Sequence, residues 1–225
     1  MLKQISLLKY VKLVFAISVL NLLAGCIKSG YNEATVYNND FKKGSTEKLK
    51  GALLYKKNDE FFIGRYNNGG FSLNLDNLPA HTAIEITVQP YLHDSWDGNN
   101  NYGGIDGPDI WTMYADGQEL VNSSFSNSPC NSMYCLFQSY PAKYSGGIIN
   151  NPPKTDVMSL LPGFCYTGYT YGTSVYKIVK TISHTKSTLT INFKDYLVQT
   201  NVPDPMCDES WSVGLLKVKV LNTTP

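Results

Sequence analysis

Between Thr82 and Leu92 the chain reads TAIEITVQPYL, and its apolar residues recur at every second position. Ile84, Ile86, Val88, Pro90 and Leu92 fall on one face, and Glu85, Thr87, Gln89 and Tyr91 on the other. Successive side chains of an extended chain point to opposite faces, so this pattern specifies a strand buried on one side only. STLTINF repeats it with Leu189, Ile191 and Phe193 inward, and SVYKIVKTI is a further candidate strand. An Asp-Gly pair in ADGQ (Ala115 to Gln118) joins two β-like runs and reads as a hairpin turn. YNNGG, Tyr66 to Gly70, reads the same way between EFFIGRY and FSLNL. In SWSVGLLKVKV the apolar phase changes at Gly214, which predicts a β-bulge there. Many short strands, hairpin turns and Gly/Asn/Pro loops, with no helical period after residue 25, predict an all-β fold: an antiparallel, jelly-roll-like β-sandwich over residues 51–225.

The first 25 residues follow a different logic. Lys3, Lys9 and Lys12 precede the apolar run Leu13 to Leu20, and NLLAGC places small Ala24 and Gly25 directly before Cys26. That order describes an export signal with its cleavage site. Leu-Leu-Ala-Gly-Cys resembles the lipobox of bacterial lipoproteins, which implies cleavage before Cys26 and acylation of that cysteine. Several acyl chains anchor a protein stably where one does not. A transmembrane helix is the competing reading, but the apolar run is short for a span. Ile27, rather than an aspartate, follows the cysteine, which points to the outer membrane. Residues 26–50 are polar and lack a sustained period, and they read as a lipidated tether in which ATVYN has the makings of a first strand.

Removal of the signal leaves 16 basic and 18 acidic side chains, so the exported chain carries no basic footprint for nucleic acid. Cys130, Cys135, Cys165 and Cys207 remain, an even number in an oxidising compartment. Of three possible connectivities, the favoured one joins Cys130 to Cys135 across a short loop and Cys165 to Cys207 across a long one. Zinc would need close ligand pairing that His81, His93 and His184 do not supply.

From Leu78 to Trp211 the chain carries LPAHTAIEITVQPYLHDSWDGN, GPDIWTMYADGQELVNSSFSN, QSYP, NNPPKT, SVYKIVKTISHTKSTLTINF and DESW in order. These words resemble an uncharacterised extracellular β-sandwich module of bacterial surface proteins, marked by Asp-Ser-Trp-Asp-Gly and Asp-Glu-Ser-Trp. The resemblance implies a cell-surface accessory module and names no activity. Here Trp211 is followed by Ser212-Val213-Gly214-Leu215, where the module usually continues Gly, Ile or Leu, Asp, Asn.

If the strand ending at Asp94–Asp97 pairs antiparallel with the one starting at Asp208–Trp211, the two acid-Ser-Trp words meet at one corner. Trp96 and Trp211 would then cap the core. Asp94, Asp97 and Glu209, with Asn99, Asp106, Asp109 or Asp208 near them, offer the hard oxygen donors that calcium takes. Turn capping by the same acids is the competing reading. Asp97 with Glu209 is also the acid pair a glycoside hydrolase would need, although no nucleophile elbow, phosphate loop or metalloprotease motif accompanies it. FCYTGYTYGTSVY concentrates Tyr166, Tyr169, Tyr171 and Tyr176, and QSYPAKY adds Tyr140 and Tyr144. Of these, Tyr166, Tyr169 and Tyr171 are the first candidates for ligand contact, because a tyrosine ring stacks on sugars while its hydroxyl bonds. The sequence therefore predicts a lipid-anchored recognition or adhesion module with carbohydrate as leading ligand. An assembly lipoprotein that binds another envelope protein is the alternative, and a glycoside hydrolase the third reading.

Overall fold

The structure, a computed structural model, describes residues 32–57, 59–168 and 172–222. The signal peptide and Cys26 lie outside them, as do Tyr169 and Tyr171. Among the described residues no helix is long and apolar enough to cross a membrane.

Two antiparallel sheets face each other. The larger runs β3 (Leu54–Lys57), β4 (Glu60–Tyr66), β13 (Glu209–Asn222), β6 (Ala83–Asp94), β10 (Thr173–Val175) and β9 (Ser159–Leu161). In that sheet β1 (Asn32–Asn39) pairs β13 and β11 (Ile178–Ser183) pairs β6. The smaller runs β2 (Leu49–Lys50), β5 (Gly70–Leu75), β12 (Leu189–Tyr196), β7 (Ile110–Ala115) and β8 (Gln118–Ser124). The chain passes repeatedly between the layers, and the result is an antiparallel, jelly-roll-like β-sandwich. Its core is the inward file of each central strand: Ile84, Ile86, Val88 and Leu92 of β6 with Val213, Leu216, Val218 and Val220 of β13, against Leu73, Trp111, Met113, Ile191 and Phe193 of the smaller sheet.

The alternation read in TAIEITVQPYL holds, with Ile84, Ile86, Val88, Pro90 and Leu92 all buried. The bulge at Gly214 is present: Val213 pairs Pro90 and Leu215 pairs Gln89, leaving Gly214 as the extra residue. Asp116 and Gly117 make the β7–β8 turn at φ 48° and 84°, as the left-handed positions of a tight hairpin require. SVYKIVKTI divides into β10 and β11, separated by the buried Tyr176, and both pieces lie on β6.

Three expectations are corrected. The tether of residues 26–50 does not extend to Lys50: β1 and β2 belong to the sandwich, and the compact unit starts at Glu33. Phe41 is fully buried, and Val36 and Tyr37 pack against the core, so a few apolar side chains anchor a segment whose average composition is polar. Second, Tyr66–Gly70 is not a hairpin but a crossing from β4 in one sheet to β5 in the other. The Asp195 carboxylate accepts the N–H groups of Asn68 (2.5 Å) and Gly69 (2.7 Å), which holds the crossing. A methyl group on Gly70 would collide with the Phe193 carbonyl oxygen of β12, so only glycine fits. Third, a short helix α1 (Pro205–Asp208) precedes β13, its first turn capped by Asp204, which accepts the Cys207 N–H at 3.2 Å.

Both favoured disulfides form, Cys130–Cys135 and Cys165–Cys207. They are separated by 5 and 42 residues, so on a loop-entropy argument the first stabilises the fold by about 2 kcal/mol and the second by about 4. Urea denaturation of Cys135→Ser and Cys207→Ser should therefore rank Cys207→Ser as the more damaging. The reverse order would show that the long loop is held by its other contacts.

Candidate functional site

Glu209 opens β13 opposite Asp94, the last residue of β6, and Ser210 and Trp211 sit opposite His93 and Leu92. The two acid-Ser-Trp words thus meet as the antiparallel register requires. Trp96 and Trp211 are both fully buried. The Trp96 indole Nε1 donates to the Ser210 carbonyl at 3.0 Å, tying the residues after β6 to β13. Trp211 meets Trp111 edge to face at 5.8 Å, and this closes the end of the core.

The acids at this corner divide into two roles. Asp94, at φ 64°, is a cap: its carboxylate accepts the N–H groups of Phe164 (2.8 Å), Cys165 (3.2 Å) and Tyr166 (3.2 Å). It therefore leaves the metal set named from sequence, because both of its oxygens are engaged by backbone donors and it is not among the carboxylates that converge. Asp97 and Glu209 do converge, and their third partner is Asp109: one carboxylate oxygen from each lies within 4.8 Å of the others. Asp109 precedes β7 and is brought in through its backbone, its N–H bonded to the Gly98 carbonyl (2.9 Å) and its C=O to the Phe125 N–H (3.1 Å). One Asp109 oxygen accepts the Asp97 N–H.

Two members of this triad are short of donors. Asp109 Oδ1 and both Glu209 oxygens are buried without a hydrogen-bond donor, and Asp109 and Glu209 have no solvent exposure. Buried carboxylates short of donors and without a counter-charge are costly when ionised. Burial, reinforced by the neighbouring carboxylates, accordingly pushes Asp97 up to about 7 and holds Asp109 and Glu209 well above the carboxylate range. The donor set, hard oxygens only, fits a calcium-class cation.

Asp97 also borders a cavity of about 710 Å³ at this end of the sandwich. Asp94, Asn127, Lys154, Asp208 and the rings of Tyr134 and Tyr166 are part of its wall. Tyr134 and Tyr166 are about half exposed, and the Tyr166 hydroxyl reaches Asp208 at 3.5 Å. Asn127 is fixed in place because its Nδ2 donates to the carbonyls of Leu92 and Asp94, both at 2.9 Å. Tyr166 was legible from the tyrosine-rich stretch. Tyr134 was not, since its loop, closed by Cys130–Cys135, is carried to the corner by the bridge between Asp97 and Ser126 and by the Asn127 N–H to the Trp96 carbonyl (2.8 Å), which no local pattern announces. Tyr140 and Tyr176 are core residues, stacked on or edge to Phe125. His81 and His184 bond each other at 2.7 Å, and His81 Nδ1 lies 2.6 Å from the Pro79 carbonyl.

No protein-family model matches the sequence, and no curated protein matches it either. Among solved structures, dimeric latent PorU from Porphyromonas gingivalis aligns with 86% of this chain at 9% identity and a TM-score of 0.44. This chain spans 13% of the length of that one. A carbohydrate-binding module from Cellvibrio mixtus lichenase 5A, solved with cellotriose, aligns over 85% of this chain and 100% of its own at 11% identity and a TM-score of 0.35. A family 35 carbohydrate-binding module from Clostridium thermocellum gives 83% and 97% at 10% identity, with the same TM-score.

The triad makes a signed prediction for the cation-free protein. Glu209 keeps in the folded state a proton that the unfolded chain releases near pH 4.5, so its contribution is complete below that pH and is lost as pH rises. Glu209→Gln, which removes the charge at nearly constant volume, should be more stable than wild type in chelator at pH 8, by roughly 1–4 kcal/mol. The advantage should grow from about pH 5 to 8, with a limit of about 1.4 kcal/mol per pH unit for one group. Parallel stability curves for the two proteins would show that Glu209 does not titrate with folding.

Proposed function

We propose that the chain is a lipid-anchored recognition module of a bacterial cell envelope that binds carbohydrate at its loop-end cavity with the help of a bound divalent cation. The observation that carries the reading is the adjacency of the uncompensated Asp97–Asp109–Glu209 triad to a cavity walled by two half-exposed tyrosines, fixed amide and carboxylate groups and a lysine. Sugars are recognised by such a combination, apolar ring faces flanked by a few oriented polar groups. Asp97, Asp109 and Glu209 would hold calcium, whose charge would release the protons those groups retain without it. Because Asp97 belongs to both the triad and the cavity wall, the cation would also set the shape of the wall. A hydrolytic role is disfavoured by burial: Glu209 has no exposure, so a glycosidic bond has no path to it.

Anchoring through Cys26, outer-membrane placement and membership of the surface-module family rest on the sequence words themselves. For anchoring, Cys26→Ser should abolish metabolic labelling with palmitate and release the protein from the membrane fraction. Retention of label would remove the lipoprotein assignment.

Two measurements test the cavity reading. Millimolar calcium should raise the melting temperature of the chelated wild type, by an amount equivalent to about 2.7 kcal/mol at a hundredfold excess over Kd, and Asp109→Asn should remove the rise. Tyr134→Ala and Tyr166→Ala should each weaken retention on immobilised polysaccharide about ten-fold, with no change in melting temperature. Tight retention by both tyrosine variants would move the ligand elsewhere. Tyr102, Met133 and Ile148, exposed on loops, favour a second reading in which the same end meets an envelope protein. Cross-linking to a protein neighbour in intact cells, with no polysaccharide retained, would favour that reading.

A further inference from the structure

The outer face of the larger sheet carries a second concavity, about 360 Å³, that does not include the acidic corner. It is built from side chains that point away from the core. Tyr91, on the polar face of β6, lies with its ring against Gly214, the extra residue of the β13 bulge, where any Cβ would overlap the ring. Tyr91 meets Phe62 of β4 edge to face at 5.3 Å and His93 at 6.4 Å. His93 in turn meets Phe164 at 5.3 Å, and Phe164 meets Tyr55 of β3 at 5.1 Å. Five rings from three strands and one loop thus form a continuous belt. Phe164 is held in it by Asp94, which accepts its N–H at 2.8 Å.

The charge beside this belt is positive. The Lys57 ammonium stands 4.3 Å from the Phe164 ring centre and the Arg65 guanidinium 3.8 Å. Arg65 is pinned by Ser210 Oγ at 3.0 Å and by the Met206 carbonyl. Glu60, on the rim, is neutralised by Lys42 at 2.6 Å. Lys57 has no carboxylate within ion-pairing distance among the described residues. His93 contributes no charge near neutral pH, because burial and the two nearby cations push it down to about 3. Its ring nitrogens are satisfied by Thr173 Oγ1 (3.1 Å) and Ser212 Oγ (2.8 Å).

These features select the ligand. The groove lies across the outer face of the sheet, over β4, β13 and β6, with Tyr55 and Lys57 supplied by the end strand β3; a ligand on that face meets side chains, whereas a peptide adding as a strand would lie in the plane of the sheet along its edge. Aromatic rings and one cation without a carboxylate partner among the described residues remain, a combination suited to pyranose rings that carry an anionic group. We propose that this outer-face groove binds an acidic glycan, with Tyr91 and Phe164 against its sugar rings and Lys57 taking the carboxylate of a uronic acid. The proposal rests on the carbohydrate-binding reading of the chain, but its ligand-contacting residues, Tyr91, Phe164 and Lys57, are none of those that line the cavity.

The test is calorimetric titration of the full chain in detergent, in chelator, with a galacturonic acid trisaccharide and with the neutral galactose trisaccharide. Chelator removes calcium bridging and sets aside the cation at the corner. Wild type should bind the acidic trisaccharide about ten-fold or more tightly than the neutral one. Lys57→Ala should abolish that preference and Lys57→Arg restore it, with melting temperatures unchanged, while Tyr134→Ala binds as wild type does. Equal binding of the two trisaccharides, an unaffected Lys57→Ala, or equal binding of a hexaglutamate peptide would each overturn the proposal. Weakening by Tyr134→Ala alone would overturn it too while leaving the cavity reading intact; the cavity reading itself stands or falls on the calcium-loaded retention test of Tyr134→Ala and Tyr166→Ala.

Discussion

The pairing of β6 with β13 runs from Glu209 opposite Asp94 to Leu221 opposite Ala83, and most of what distinguishes this protein follows from its register. A strand buried on one face tolerates no slip of a single residue, because a slip would exchange its apolar file for its polar one. With Ile84, Ile86, Val88 and Leu92 committed to the core, Tyr91 and His93 must face outward and Glu209 must arrive beside the end of β6. The bulge at Gly214 reconciles the two phases of β13, placing Val213 inward on one side and Leu216, Val218 and Val220 inward on the other. It also supplies the flat backbone on which Tyr91 rests.

The acids at the end of this ladder show how position decides what a carboxylate does. Asp94 meets three backbone N–H groups and becomes a structural acceptor that shapes the Phe164–Tyr166 turn. Asp97, three residues later, shares its surroundings with Asp109 and Glu209, where no comparable set of donors is present. Desolvation without compensation favours protonation or a cation, and the two outcomes have opposite dependence on pH. The triad's contribution to stability would then be greatest in acid for the cation-free chain and nearer neutrality for a loaded one.

The loops that complete the corner are short of secondary structure and are held by covalent and polar ties. The Cys165–Cys207 disulfide links the Phe164 turn to α1, directly ahead of β13. Asn127 bonds the carbonyls of Leu92 and Asp94, and Trp96 bonds Ser210. The same turn presents Phe164 to the outer face and Tyr166 to the cavity, so Asp94 positions one ring on each concavity.

By itself, the sequence determined the all-β class, the inward file of β6 and β12, the Asp116–Gly117 hairpin and the Gly214 bulge, because each is written in period-two alternation or in short-range residue chemistry; it favoured the two disulfides among three connectivities and made the meeting of the two acid-Ser-Trp words conditional on a pairing that the structure supplies. It also carried the signal and Cys26, whose reading depends on linear order alone. Only the tertiary structure decided that β1 and β2 join the sandwich, since Phe41 is one buried side chain in a polar stretch and averages conceal it. It decided that Asn67–Gly70 crosses between sheets, because an Asn-Gly turn signal specifies a reversal of direction and not which sheet receives the next strand. It exchanged Asp94 for Asp109 in the triad and added Tyr134 and the outer-face belt, joining residues up to about a hundred positions apart. Such convergence depends on how strands stack and register, which are collective properties of the packed core that local alternation constrains but does not specify.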